Sequence, residues 1–121
     1  MSMKKPLAEC DVFDHAGARA ALGDDDELLA EMAELYLSDL PGLLDQVEAA
    51  IESRDGDAIR RSAHQLKGAS SNFHARSTVE AAYRVERMGR DGDLEGVESA
   101  FAALRSEIDR LRPELEKLVA S

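Results

Sequence analysis

The residues best suited to chemistry in this chain are a histidine with a lysine three positions on and a glycine four on: His64-Gln65-Leu66-Lys67-Gly68. A neutral imidazole is a good nucleophile near pH 7, and cationic neighbours favour that neutral form. The same cations would stabilise a phosphoryl group once attached, because phosphate accepts several charge-assisted hydrogen bonds. Arg60 and Arg61 lie about one turn before the histidine if the segment is helical. Gly68 is the odd residue, since glycine in a helix interior costs about 1 kcal/mol relative to alanine. Its missing side chain clears an approach to the imidazole for another backbone or a ligand. Carriage of a phosphoryl group on His64 is the chemistry this set suits. A lone histidine among Arg and Lys is also what an ordinary solvated helix face carries, and residue types alone leave both readings open.

The positioning element must be a helix. With about 100° per residue, Ile59, Ala63, Ser70 and Phe73 fall within about 60° of Leu66 and form a core face. Lys67, Arg60, Ser71, His64, Gly68 and Arg61 fall opposite, within an arc of roughly 120°. Apolar spacing is helical nearly everywhere else, and no alternating β-branched stretch competes with it. Three breaks punctuate the chain, at Gly23-Asp24-Asp25-Asp26, Asp55-Gly56-Asp57 and Asp91-Gly92-Asp93. Each couples a helix-ending glycine with an acidic cap for the next helix. Asp24-x-x-Glu27 and Ser77-x-x-Glu80 read as capping boxes.

These signals predict helices at about 14–22, 25–53, 57–73, 77–90 and 93–119. The second has Leu28, Met32, Leu35, Tyr36, Leu40, Leu43, Val47 and Ile51 on one broad stripe, with a kink expected at Pro41. The last has Leu94, Val97, Phe101, Leu104, Ile108, Leu111, Leu115 and Leu118 in alternating steps of three and four, although Pro113 unsettles its final turns. Short connections make successive helices antiparallel. The expected fold is all-α, an antiparallel up-down four-helix bundle with a short extra N-terminal helix. Residues 1–10 are expected to be a flexible segment, and 11–121 one domain. That capped start near residue 11 and the ending at Ser121 favour a free-standing domain.

Composition narrows the function. The 121 residues are 44% hydrophobic and 33% charged, typical of one globular domain and of neither a disordered nor a membrane chain. No apolar run approaches the roughly 18 residues of a spanning helix, and no secretory signal follows Met1. Cys10 is the only cysteine, which excludes an internal disulfide and fits a reducing compartment, with cytoplasm expected. The net charge of −10 has the wrong sign for a general nucleic-acid binder. That charge is uneven: residues 54–90 carry 8 basic and 4 acidic side chains inside an otherwise acidic chain. A basic island of this kind fits a local anionic partner, a phosphate group or an acidic protein surface; it also fits plain decoration of exposed faces.

His64-Gln65-Leu66-Lys67-Gly68-Ala69-Ser70 resembles the signature of the histidine-containing phosphotransfer (HPt) family, whose core pattern is H-x-L-K-G followed by a small residue. Upstream, Phe13-Asp14, Asp26-Glu27-Leu28-Leu29, Tyr36-Leu37-x-Asp39-x-Pro41 and Ala63-His64 resemble the family pattern. Downstream, Gly89-Arg90-x-Gly92-Asp93-Leu94 does the same, so the resemblance spans about residues 11–118. It implies that His64 carries the phosphoryl group on Nε2, that Lys67 neutralises it, and that Gly68 leaves room for a receiver domain. Gln65 and Ser71 would lie at the rim. Glu86 matches a position where the family places Gln or Glu near the imidazole, and would fix the tautomer that leaves Nε2 free; an ordinary surface pair with Arg90 at i+4 is the alternative. One position departs: four residues after Ser70, where the family usually has glycine, this chain has His74. A histidine there must rearrange the turn or adopt a left-handed backbone.

The implied role is a phosphoryl carrier with no cofactor of its own, Mg²⁺ being expected on the receiver. Its partners would be response regulator receivers and a hybrid sensor histidine kinase, with no nucleic acid, no membrane and a monomeric state. No nucleotide-binding glycine loop is present, so the chain is not expected to be an ATP-dependent enzyme. Two alternatives use the same bundle: a non-transferring adaptor, and a receiver phosphatase that places water with Gln65 or Asn72. A di-iron carboxylate bundle needs Glu-x-x-His pairs, and none of the three histidines has a glutamate three residues before it.

Overall fold

The computed structural model describes residues 11–120, so the expectation of a flexible 1–10 segment, Cys10 included, lies outside the described residues. Among the described residues there are five helices and no strand: α1 (His15–Ala21), α2 (Asp26–Glu52), α3 (Gly56–Ser71), α4 (Arg76–Asp91) and α5 (Val97–Ala120). The expected all-α bundle with a short additional N-terminal helix is the observed architecture. Helices α2 to α5 pack in a closed ring, each against the next and α5 back against α2, while α1 rests on α2. The core is a continuous apolar cluster that includes Leu29, Leu40, Val47, Ile59, Leu66, Phe73, Val85, Leu104, Ile108, Leu111 and Leu115. No described helix is long and apolar enough to cross a membrane.

The helices begin where their donors are satisfied. Asp14, Asp25 and Asp55 each accept from the backbone N–H three residues on, capping α1, α2 and α3. The cap of α2 is thus Asp25 and not Asp24, because Asp24 takes a left-handed backbone (φ 62°) to turn the chain. The Ser77 capping box is not used either. Helix α4 starts after Ala75, which is buried and offers no side-chain cap, so core burial rather than capping sets this start. The turn before it is made by His74 at φ 53°. A left-handed backbone costs a side-chain-bearing residue about 1–2 kcal/mol, which glycine would avoid.

Helix α2 runs unbroken through Pro41 and α5 through Pro113. Buried residues on both sides, Leu40 and Leu43, Leu111 and Leu115, keep each stripe docked where one backbone donor is missing. The last helix starts at Val97 and not near 93, because Gly92 and Gly96 both take positive φ and hold Leu94 outside it. The predicted stripe of α2 is displaced as well: Leu29, Ala33, Ala50 and Leu44 share the core, whereas Leu28 and Leu35 are exposed.

Helices α3 and α4 meet closely at a pair of glycines. Gly56 does not end a helix, a task taken by Arg54 at φ 55°. Instead it opens α3 directly against Gly89 of α4. A Cβ on Gly89 would come within 2.7 Å of the Gly56 carbonyl oxygen, 2.8 Å of the Arg60 nitrogen and 2.9 Å of Ile59 Cβ. Two of these atoms are backbone and cannot swing aside. Gly89→Ala is therefore expected to destabilise the fold by roughly 1–3 kcal/mol by prising the helices apart, measurable by chemical denaturation. An unchanged midpoint would show that the crossing relaxes freely.

Candidate functional site

His64 lies in the middle of α3, its side chain 63% exposed and facing away from Ile59, Ala63 and Leu66. The arc predicted for it is the one observed. What holds the ring comes from the neighbouring helix. Glu86 of α4, with a side chain only 12% exposed, places Oε2 3.0 Å from His64 Nδ1 and Oε1 2.8 Å from Lys67 Nζ. Burial alone would raise the Glu86 carboxyl, but the Lys67 ammonium and the His64 ring N–H outweigh it and hold the group below the usual glutamate range. Glu86 is therefore a carboxylate, which only accepts, so Nδ1 must donate its hydrogen. That leaves the lone pair on Nε2. The alternative pairing of Glu86 with Arg90 is not formed; Arg90 bonds to Asp91.

The remaining site residues divide into two groups. Lys67 joins the His64–Glu86 pair directly, making a three-residue charge cluster across α3 and α4. Gly68 follows on the same face, and a Cβ there would have no atom within 4 Å. Nothing among the described residues requires glycine at 68, in contrast to Gly56 and Gly89. Ser71, also exposed, donates its hydroxyl to the Gly68 carbonyl at 2.8 Å. Gln65 and Arg61 lie toward α2, where they line a shallow groove with Gln46, Ala49 and Ser53. Arg60 and Arg61 are not gathered around the imidazole. Both are paired with Asp57, Arg60 at 3.0 Å, one to two turns before His64. Asp57 was legible as an i+3, i+4 partner of both arginines, a signal the sequence reading left unused.

Among the described residues, no group of three His, Cys, Asp or Glu side chains is placed to hold a metal ion. His74 sits at the α3–α4 turn, with its ring closed against Gly17 of α1. It has no lysine or glycine arranged as His64 has.

A family model described as Hpt domain matches residues 31–114. The chain belongs to the Hpt domain family. Its fold is also that of two solved structures. One is histidine-containing phosphotransfer protein B (HptB) from Pseudomonas aeruginosa PAO1, with a TM-score of 0.83 at 20% identity, covering 90% of this chain and 95% of that one. The other is the HPT domain of the Hpt sensor hybrid histidine kinase from Shewanella, with a TM-score of 0.79 at 17% identity, covering 93% and 97%. No curated protein matches the chain. As an Hpt domain, it serves histidine phosphotransfer in two-component phosphorelays, and its partners are components of such systems.

The charge cluster of this Hpt domain has a pH signature. A carboxyl held below its ordinary range stabilises the fold above the unfolded value, near pH 4.3, and that contribution disappears as pH falls through the folded value. The stability advantage of wild type over Glu86→Gln is therefore expected to be largest at pH 6 and to shrink toward pH 3. Urea unfolding of both proteins across that range measures it; parallel curves would mean that Glu86 ionisation is not linked to folding.

Proposed function

We propose that His64 is the phosphoacceptor, taking a phosphoryl group from a receiver aspartate and relaying it to a second receiver. The observation that carries this reading is the bridge from Glu86 to both His64 Nδ1 and Lys67 Nζ, which supports Nε2 as the nucleophile and puts a cation beside it. In the forward step the Nε2 lone pair forms an N–P bond while the P–O bond to the aspartate breaks. That bond's electron pair leaves with the receiver carboxylate. Nδ1 keeps its hydrogen throughout, so the phosphorylated ring is cationic and Glu86 balances it. No proton has to leave, and catalysis reduces to positioning and charge stabilisation. The reverse sequence hands the group to the next receiver.

Lys67 would turn from Glu86 toward the phosphoryl oxygens, and Gly68 would admit the receiver's backbone. Mg²⁺ is expected on the receiver's side of the complex, so this chain supplies nucleophile and cation without a cofactor or kinase activity of its own. Arg60, Arg61, Gln65 and Ser71 would border the docking face. Leu35, 65% exposed, adds an apolar rim beside Ala69 and Asn72. We read the domain as a cytoplasmic monomer working with a hybrid sensor kinase and response regulators.

The test is product analysis. The protein is incubated with phosphoramidate or a phosphorylated receiver, then followed by intact mass, acid lability and phosphate release. A single acid-labile phosphoryl group on His64 supports the carrier. Free phosphate without an adduct would make the protein a receiver phosphatase, and neither product would make it an adaptor.

A further inference from the structure

Lys67 is held by more than Glu86. Its ammonium lies 4.9 Å from the centre of the Tyr83 ring, and Tyr83 stands on α4 one turn before Glu86. The lysine head is thus set between a carboxylate and an aromatic face. Tyr83 is itself 40% exposed, the position of a large ring that the core does not need. The ring is shared: the Arg87 guanidinium lies 5.7 Å from its centre. Two cations, one from each helix, therefore converge on one ring.

The two holds on Lys67 differ in kind. A carboxylate competes with a phosphoryl group for the same ammonium hydrogens. A ring face attracts the cation through its quadrupole and takes none of those hydrogens. A lysine side chain free in solvent is spread over many rotamers, and confining it costs entropy. A partner that confines the ammonium and leaves its donors available lowers that entropic cost before the phosphoryl group arrives.

Resting on the reading of His64 as phosphoacceptor, we propose that Tyr83 is a positioning residue, its ring keeping the Lys67 ammonium at the imidazole while the ammonium exchanges Glu86 for the phosphoryl oxygens. Tyr83 touches no reacting atom and acts through Lys67 alone. Its ring matters to this task and its hydroxyl does not.

The experiment compares Tyr83→Phe, Tyr83→Leu, Lys67→Met and the double variant Tyr83→Leu/Lys67→Met for the rate of His64 phosphorylation by phosphoramidate. Tyr83→Phe is expected within twofold of wild type, and Tyr83→Leu about three- to fivefold slower. In the Lys67→Met background the leucine is expected to add nothing. A full-speed Tyr83→Leu, a Tyr83→Phe as slow as the leucine variant, or the same loss in the absence of Lys67 would each overturn the proposal. The Lys67 ε-methylene proton shift gives a readout independent of transfer. Upfield displacement by the ring is expected in wild type and Tyr83→Phe and lost in Tyr83→Leu; an undisplaced wild-type signal overturns the placement. If wild type takes no phosphoryl group, the carrier reading fails, and that signal alone decides whether the ring holds the lysine.

Discussion

His64→Gln is expected to yield a folded protein that takes up no phosphoryl group from any donor, whereas His74→Gln remains fully competent. The glutamine amide can still donate to Glu86, so the local hydrogen bond persists and stability is expected to change by no more than about 0.5 kcal/mol, as for other exposed positions. What disappears is the lone pair on Nε2, and no neighbouring group replaces it. Lys67 is occupied by Glu86, and Arg60 and Arg61 are bound to Asp57 and are not nucleophiles. His74 has an imidazole, but among the described residues no lysine is paired with a carboxylate around it. Intact mass after phosphoramidate treatment checks the pair. An adduct that survives His64→Gln and vanishes in His74→Gln would move the site to the α3–α4 turn.

The second large effect separates folding from transfer at one position. Gly68→Gln is expected to stabilise the domain by about 0.5–1 kcal/mol, because glutamine is the better helix former and the space beside residue 68 is empty. The same variant is expected to slow transfer from a phosphorylated receiver roughly 100-fold, since a side chain there holds the partner away from in-line approach. Loading by phosphoramidate, which needs no docking, should stay within a few-fold of wild type. Thermal unfolding with the two donor assays reads all three quantities. If receiver transfer in Gly68→Gln matches wild type, Gly68 has no part in admitting a partner.

The two glycines show what a sequence can and cannot convey. Gly68 and Gly89 both stand inside helices, and each breaks the same propensity rule. Only the packing reveals that Gly89 meets the backbone of α3 while Gly68 meets nothing. The wheel through α3 was legible because one face is apolar and the other charged, and α5 because its leucines keep a regular step. The stripe of α2 was harder: apolar residues occupy more than one face, so Leu28 and Leu35 were assigned inward when they point out. The use of Glu86 was undecidable from the chain alone. Local spacing offers it Arg90, and only the crossing of α3 and α4 brings His64 and Lys67 within reach. The start of α4 misled for a related reason, since the burial of Ala75 is a tertiary fact that outranks a serviceable cap at Ser77.

The exposure of the imidazole on an unbroken helix also sets a rule of traffic. His64 sits on a regular helix and is reached from one side, its Nδ1 being engaged by Glu86. If His64 is the phosphoacceptor, as proposed, giver and taker would occupy the same face and address the same nitrogen, one after the other. They would not meet on the domain, and among the described residues the site offers no separate face to order their visits. The direction of travel would then be set by the abundance and loading of the proteins waiting outside, the domain acting as a single berth for which they compete.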